Sequence, residues 1–145
     1  MMTRRRWLVV FASFFVTIVS LGSVGCGSET PPPPPPVITS VSAQELMQLI
    51  DRNADILVLD VRGPDEHATG HIVGAENIPH TEILSRLNEI DSYRDKHVIV
   101  CCWAGGRADI AKRVLREAGF SSILDLRGHM AEWERLGYPV ETADK

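Results

Sequence analysis

The sequence lacks a surplus of positive charge. It has 15 Lys and Arg against 19 Asp and Glu, a formal net charge of −4. Residues 1–25 hold three of the arginines and no acidic residue, which leaves 12 basic and 19 acidic residues in the remainder, a formal −7. A surface that acidic has no electrostatic footprint for nucleic acid. We therefore exclude DNA and RNA as partners.

Other absences narrow the kind of site. The chain has no nucleotide-binding or haem-attachment motif, and His67 and His71 have Gly70 between them and no evident third ligand. Because Gly70 interrupts the helix that would put both imidazoles on one face, this spacing favours a structural role over a metal site. We expect no metal and no organic cofactor.

The N-terminal segment lacks an unbroken apolar run of spanning length. Three arginines precede an apolar run over residues 7–19, which serine and threonine interrupt and which is short of the about 20 residues of a stable spanning helix. A basic start, a short apolar run and small residues are the parts of a secretory signal. We predict that residues 1–25 are a signal peptide, with an uncleaved membrane anchor as the alternative.

The residues after this signal predict a tether. The tetrapeptide that ends at Cys26, Ser-Val-Gly-Cys, resembles the lipobox of bacterial lipoproteins, in which the cysteine becomes the lipidated first residue. Six prolines at 31–36 predict a polyproline II spacer of about 19 Å. We predict a lipid anchor on Cys26, a linker over residues 26–36 and a folded domain over 37–145. This places the domain in the cell envelope, in the periplasm or at the outer face of a membrane.

The folded part alternates apolar runs with amphipathic stretches. Apolar runs without interruption are typical of strands that are buried on both faces, and Ser42 with Glu45 forms a capping box at a helix start. The alternation predicts an α/β fold with a parallel sheet of about five strands and helices on both faces. The predicted strands include residues 56–59, 75–77, 98–101 and 123–126, and the predicted helices begin after Ser42, near Pro79, at Gly106 and shortly before Met130.

The apolar spacing also predicts helix faces and ends. Leu84 is expected on the core-facing side of the second helix with Ile83, and Ile110 on that of the third helix with Leu115. Gly119 is predicted to end the third helix in a left-handed conformation.

A cysteine stands where a buried strand meets a helix. Residues 102–107 read Cys-Trp-Ala-Gly-Gly-Arg, and ligands of open parallel sheets bind beyond the carboxyl ends of the strands. Two adjacent glycines let successive N–H groups converge on one point, and the helix start adds its own free N–H groups. The pattern predicts that Cys102 is a thiolate in a cradle of amides, with Arg107 attracting an anion.

Three parts of the domain resemble the rhodanese family of sulfurtransferases. They are Leu-Asp-Val-Arg at 59–62 with Glu66 and the stretch 70–79, the strand and cysteine loop at 98–107, and the stretch 126–140. The resemblance implies the rhodanese-like fold, with Cys102 as the nucleophile. It also implies a persulfide on that cysteine, which takes sulfane sulfur from thiosulfate or a persulfide donor and passes it to a thiophilic acceptor such as cyanide or a thiol.

The resemblance also assigns roles around Cys102. The implied substrate-binding loop consists of Trp103, Ala104, Gly105, Gly106 and Arg107. We expect an ion pair between Asp60 and Arg62 to brace the sheet edge near this loop, with Glu66 in the same support.

The chain departs from the family pattern at four positions, one of which is Ala108, where serine is frequent. Trp103 and Ala104 stand where polar or basic residues are frequent, which predicts a preference for less charged sulfur donors than thiosulfate. His129 stands where glycine is frequent, and we predict a surface position for it.

Two alternatives stay open. Counted from Cys101, Arg107 closes a C-x5-R loop, the length found in cysteine phosphatases and arsenate reductases, whereas from Cys102 it closes the C-x4-R loop of sulfurtransferases. We favour Cys102, because a strand over 98–100 would be too short to end before Cys101, and no general acid for a leaving group is evident near the loop. Strand alternation sends the two thiols to opposite sides, so we expect buried packing for Cys101 instead of a role as a resolving thiol. The other alternative is a rhodanese-like binding module without catalysis.

Overall fold

The structure is a computed structural model that describes residues 39–142. The predicted signal peptide, the predicted lipid site Cys26 and the proline linker lie outside the described residues. Among residues 39–142, none of the helices combines the length and the apolar character that a membrane crossing requires.

Five strands form one parallel sheet. Its strands are β1 (Ser40–Val41), β2 (Ile56–Asp60), β4 (Glu76–Asn77), β5 (His97–Cys101) and β6 (Ser122–Leu126), which lie in the order β1-β6-β5-β2-β4. Every neighbouring pair runs parallel. Strands β2 and β5 consist mainly of buried apolar residues because helices cover both faces of the sheet. The predicted α/β fold with a five-stranded parallel sheet is confirmed.

Helices divide the core into two halves. They are α1 (Ala43–Asp51), α2 (Pro64–Thr69), α3 (Ile83–Arg86), α4 (Gly106–Glu117) and α5 (His129–Arg135), with a 3-10 helix at Leu87–Tyr93 between α3 and β5. Buried residues of α1 and α5 pack on one face of the sheet, around the fully buried Trp133. Buried residues of α3, α4 and the 3-10 helix pack on the other face, around Leu59 and Leu115.

Two helix ends match the prediction. The Ser42 hydroxyl accepts a hydrogen bond from the Glu45 N–H at 3.2 Å, and the Glu45 carboxylate accepts one from the Ser42 N–H at 2.7 Å. This capping box satisfies N–H groups that have no partner inside α1. Gly119 follows α4 with φ +89°, as predicted for a left-handed helix end.

The segment after Pro79 differs from the single helix expected there. It forms α3 and then the 3-10 helix, in which Leu87, Ile90 and Tyr93 recur every third residue. A 3-10 helix repeats every three residues, so this spacing turns all three side chains toward the core, where they pack. Leu84 lies on the outer face and is 74% exposed, so its expected core position is wrong.

The expected core position of Ile110 is also wrong. Its side chain is exposed, whereas Ala108, Ala111 and Leu115 are fully buried. These three residues are three and four apart, so they already form the stripe of α4 that faces the sheet.

A second, two-stranded sheet has no counterpart in the sequence prediction. Strand β3 (His71–Ile72) pairs antiparallel with β7 (Val140–Glu141). Two residues per strand are too few for a recognisable alternation, so only the tertiary structure brings these distant segments together.

Candidate functional site

The candidate site lies at the carboxyl end of the central strand β5. The strand ends at Cys101, the loop 102–105 follows, and α4 begins at Gly106. Cys101 packs in the core half of α1 and α5, and Cys102 packs in the half of α3 and α4. Both cysteines are free thiols. As strand alternation predicted, the two side chains face opposite sides of the sheet.

A backbone amide holds the Cys102 sulfur. The Gly105 N–H donates a hydrogen bond to Cys102 Sγ, with 3.0 Å between nitrogen and sulfur. Gly105 adopts φ +113°, which side-chain-bearing residues rarely reach, and a Cβ added there would lie 3.0 Å from His129 Nε2. Glycine is therefore required for both the backbone conformation and the close approach of the imidazole.

Further amides around the loop have no acceptor in the part of the chain that the structure describes. Within residues 39–142, the N–H groups of Trp103, Ala104, Gly106 and Arg107 donate to no protein acceptor. Two of them belong to the first turn of α4, where the helix dipole adds partial positive charge. Free N–H groups in the loop that carries the sulfur suit an anionic thiolate, a persulfide or a bound oxyanion.

Helix α5 anchors the other side of the loop. The Met130 N–H donates to the Cys102 carbonyl at 3.0 Å, and the Ala131 N–H donates to the Trp103 carbonyl at 3.2 Å. These bonds use two of the amides that a helix start leaves unpaired. The loop therefore joins the starts of two helices, and its carbonyls face α5.

Arg107, whose permanent positive charge is predicted to attract an anion, is paired with a carboxylate. Its guanidinium forms two hydrogen bonds with the Glu66 carboxylate, at 2.5 and 2.8 Å. The hydrogen bond from Arg107 lowers the pKa of Glu66 to about 2, so the pair stays ionised at any working pH. Glu66 thus braces the loop arginine, and it makes no hydrogen bond to the Asp60–Arg62 pair.

The ion pair expected between Asp60 and Arg62 is present and buried. Arg62 Nη2 lies 2.6 Å from Asp60 Oδ2 and also donates to the Gly70 carbonyl at 2.7 Å. His67 Nδ1 lies 3.1 Å from the same carboxylate, and its ring stacks on that of His71 at 3.7 Å between centroids. The two histidines therefore belong to a packed network around Asp60.

Cys101 is poorly placed for the chemistry of a C-x5-R loop. Its side chain is fully buried, and burial raises the pKa of this thiol well above its ordinary value, with nearby Asp60 adding to the effect. The side chain lies on the sheet face opposite to Cys102, whose sulfur meets the loop amides. Of the two adjacent cysteines, only Cys102 meets an amide of the loop.

His129 is buried, so its predicted surface position is wrong. The residue is 6% exposed, and its Nδ1 accepts a long hydrogen bond of 3.4 Å from the Cys102 N–H. Sequence reasoning missed it because glycine is frequent at this position, and a larger side chain was expected to point outward. The position of His129 in the chain could have indicated its proximity to the site. Strand β6 neighbours β5, so a residue just after β6 lies near the same sheet edge as Cys102.

The loop surface is apolar at its exposed end. Cys102 itself is 1% exposed, whereas Trp103 is 45% exposed and Ala104 is exposed. Cys102 is therefore almost completely covered, while the next two residues of the loop are exposed.

These features define an α/β protein in which a loop at the carboxyl edge of a parallel sheet holds the thiol of Cys102 and leads into a helix. The model of the family described as "Rhodanese-like domain" matches residues 42–136, more than half of the chain. The chain therefore belongs to the rhodanese-like family.

Similar proteins agree with this assignment. A sulfurtransferase from Allochromatium vinosum is 32% identical over 104 residues, which cover 72% of this chain and 95% of that protein. A putative sulfur carrier protein from Bacillus subtilis is 29% identical over 107 residues, which cover 74% of this chain and 57% of that protein. The crystal structure of a rhodanese-related protein from Thermoplasma volcanium is 34% identical, with a TM-score of 0.62 over 71% of this chain and 97% of that one.

Gly105→Ala should destabilise the chain by about 1–3 kcal/mol, because the new Cβ meets both an unfavourable φ and the His129 ring. Gly106→Ala is the matched control, since an added Cβ there meets nothing within 4 Å and its φ is ordinary. Urea unfolding of the full chain, followed by circular dichroism, measures both changes. Equal effects of the two substitutions would contradict the assigned role of Gly105.

Proposed function

We propose that the chain is a sulfurtransferase that carries sulfane sulfur as a persulfide on Cys102. The observation that carries the proposal is the 3.0 Å hydrogen bond from the Gly105 N–H to Cys102 Sγ, in a loop with further free amides. Membership in the rhodanese-like family and a relative named as a sulfurtransferase support it.

The reaction has two displacement steps. The Cys102 thiolate attacks the outer sulfur of thiosulfate, the S–S bond of the donor breaks, and sulfite leaves with the electron pair of that bond. The outer sulfur of the resulting persulfide is then attacked by a thiophile such as cyanide, which leaves as thiocyanate and regenerates the thiolate. This is covalent catalysis by an activated nucleophile.

Backbone amides are the proposed source of activation. Amides that are fixed before reaction stabilise negative charge without reorganisation, on the thiolate and equally on the terminal sulfur of the persulfide. We therefore assign Cys102 as the nucleophile and the backbone of Trp103, Ala104, Gly105 and Gly106 as the cradle.

The exposed part of the loop favours donors of low charge. Trp103 and Ala104 present apolar surface, and the Arg107 charge is compensated by Glu66. We propose that an organic persulfide, which buries carbon and carries at most one negative charge, is a better donor than the thiosulfate dianion. A thiol of similar chemistry is the corresponding acceptor.

Cys102→Ala should lower thiocyanate formation from thiosulfate and cyanide by about a thousandfold or more, because the sulfur-carrying atom is removed. After incubation with thiosulfate, the parent should gain the mass of one sulfur on the peptide that contains Cys102, and the variant should gain none. Cys101→Ala is the matched control and should keep the rate within about twofold, since Cys101 acts as a small apolar core residue.

Other outcomes identify the alternatives. Equal thiocyanate formation by the parent and Cys102→Ala, with no sulfur gained on the Cys102 peptide, would indicate that the domain is a binding module without catalysis. Turnover of a phosphate ester or arsenate that survives Cys102→Ala and disappears in Cys101→Ala would indicate the C-x5-R chemistry instead.

Glu66→Gln should lower the KM for thiosulfate by about fivefold, because the Arg107 charge then becomes available to the dianion. The kcat should change little, since Cys102 and its amide are untouched. Glu89→Gln removes a comparable partner from the remote Arg86 and serves as the control. A higher KM in Glu66→Gln would show instead that Arg107 needs Glu66 to be held in a productive position.

We also propose that the domain works in the cell envelope, attached to a membrane through a lipid on Cys26. The support is the sequence alone: the basic and apolar residues 1–25, the lipobox-like tetrapeptide and the proline spacer. One acyl chain gives weak membrane binding, and a diacylated cysteine gives a stable anchor.

Cys26→Ser should abolish incorporation of labelled palmitate in a bacterial host and move the chain out of the membrane fraction, because the acylated thiol is gone. Cys102→Ser controls for acylation elsewhere and should label like the parent. A Cys26→Ser chain that stays with the membrane would indicate an uncleaved anchor.

A further inference from the structure

The imidazole of His129 lies against Cys102, which carries the sulfur, and against Gly105, whose N–H donates to that sulfur. Its Nδ1 accepts the hydrogen bond from the Cys102 N–H, and its Nε2 lies close to Gly105, whose N–H donates to Sγ. Among the described residues, His129 is the acceptor for the Cys102 N–H. The ring thus contacts the loop at Cys102 and at Gly105.

The backbone at His129 is unusual for the residue type. His129 has φ +50° and follows Gly128 at φ +75°, so two consecutive residues are left-handed at the start of α5. A left-handed residue with a side chain is uncommon and costs free energy that surrounding contacts must offset. The contacts observed here are those with the cysteine loop and with a charged cluster.

Charged side chains face the other side of the ring. Asp125 Oδ2, on β6, lies 3.8 Å from His129 Nε2, and Lys112 of α4 bonds to both Asp125 and Asp109. With Nδ1 as an acceptor, the ring proton is on Nε2, toward Asp125. Burial lowers the pKa of His129 and outweighs the opposite effect of Asp125, so the imidazole is neutral near pH 7.

We propose that neutral His129 is a positioning residue for the cysteine loop, and that its protonation releases the hydrogen bond that orients Cys102. A proton on Nδ1 would place an N–H donor opposite the Cys102 N–H donor, so the contact would become repulsive. As pH falls through the lowered pKa of His129, below 6.5, the loop would lose this support. The consequence for rate rests on the proposed sulfur transfer, whereas the hydrogen bond itself does not.

Two substitutions separate this role from space filling. In His129→Asn the amide oxygen occupies the place of Nδ1 and accepts the same hydrogen bond, it does not titrate, and asparagine tolerates a positive φ. In His129→Gly the backbone conformation is also tolerated, but the Cys102 N–H has no acceptor. The two variants therefore differ in whether the Cys102 N–H has an acceptor, and the backbone strain is relieved in both.

The first measurement is independent of activity. In the full chain, labelled with nitrogen-15 and held in detergent micelles, the Cys102 amide proton shift should follow the same titration curve as the His129 ring protons. In His129→Asn, the part of the pH-dependent shift change that follows His129 should be absent. Any part that is due to the Cys102 thiol should remain. A Cys102 amide proton shift that does not change as His129 titrates would overturn the proposal.

The second measurement is the rate of sulfur transfer across pH. At neutral pH, His129→Asn should keep kcat within about twofold, and His129→Gly should lose about tenfold in kcat with little change in KM, the effect of one unsatisfied buried donor. His129→Asn should also lack the acid limb that the parent shows below pH 6.5. Parent-like kcat in His129→Gly would overturn the proposal, and so would an unchanged acid limb in His129→Asn.

The two proposals fail in different ways. A parent chain that transfers no sulfur but shows the linked titration of Cys102 and His129 would refute sulfur transfer and keep the positioning role. Normal sulfur transfer without linked titration of Cys102 and His129 would keep sulfur transfer and refute the positioning role.

Discussion

The alternation of side chains at the end of β5 is the constraint on which the site depends. It sends Cys101 into the core half of α1 and α5 and Cys102 toward α4, where the Gly105 amide meets its sulfur. A shift of one residue in strand register would exchange the two thiols, because the side-chain period of a strand is two. The pairing of β5 with both β2 and β6 along most of its length holds that register.

Most charged side chains around the loop form ion pairs with one another. Asp60 pairs with Arg62, Glu66 with Arg107, and Asp125 with Lys112. The polarity that the loop offers to an anion therefore comes mainly from backbone N–H groups. Such groups can stabilise negative charge on sulfur.

His129 connects this backbone site to a titratable group. Its ring fills the space between the loop and the Asp125–Lys112 pair, where a glycine would leave the Cys102 N–H without an acceptor. Burial is what makes this contact effective, because it lowers the pKa of His129 and so favours the neutral imidazole that can accept the Cys102 N–H.

Most of the fold follows from local patterns. The apolar runs around 57–59 and 98–101, the capping box of Ser42 and the left-handed Gly119 all appear in the structure, because each depends on neighbours within a few residues. Elements decided by distant contacts were missed. The β3–β7 pair joins segments about 70 residues apart, and the 3-10 winding after α3 follows from packing on α4 and the sheet.

For the site, the sequence by itself determined the thiol, the two glycines and the helix start, because a strand, a tight turn and a helix are encoded by adjacent residues. Only the tertiary structure decided the partners: Arg107 with Glu66, and Cys102 with His129. Each of these contacts joins residues 27 or more positions apart in the chain. Local periodicity carries no information about which side chains meet across the edge of a folded sheet, so charge compensation and burial at the loop arise only once the strands are in order.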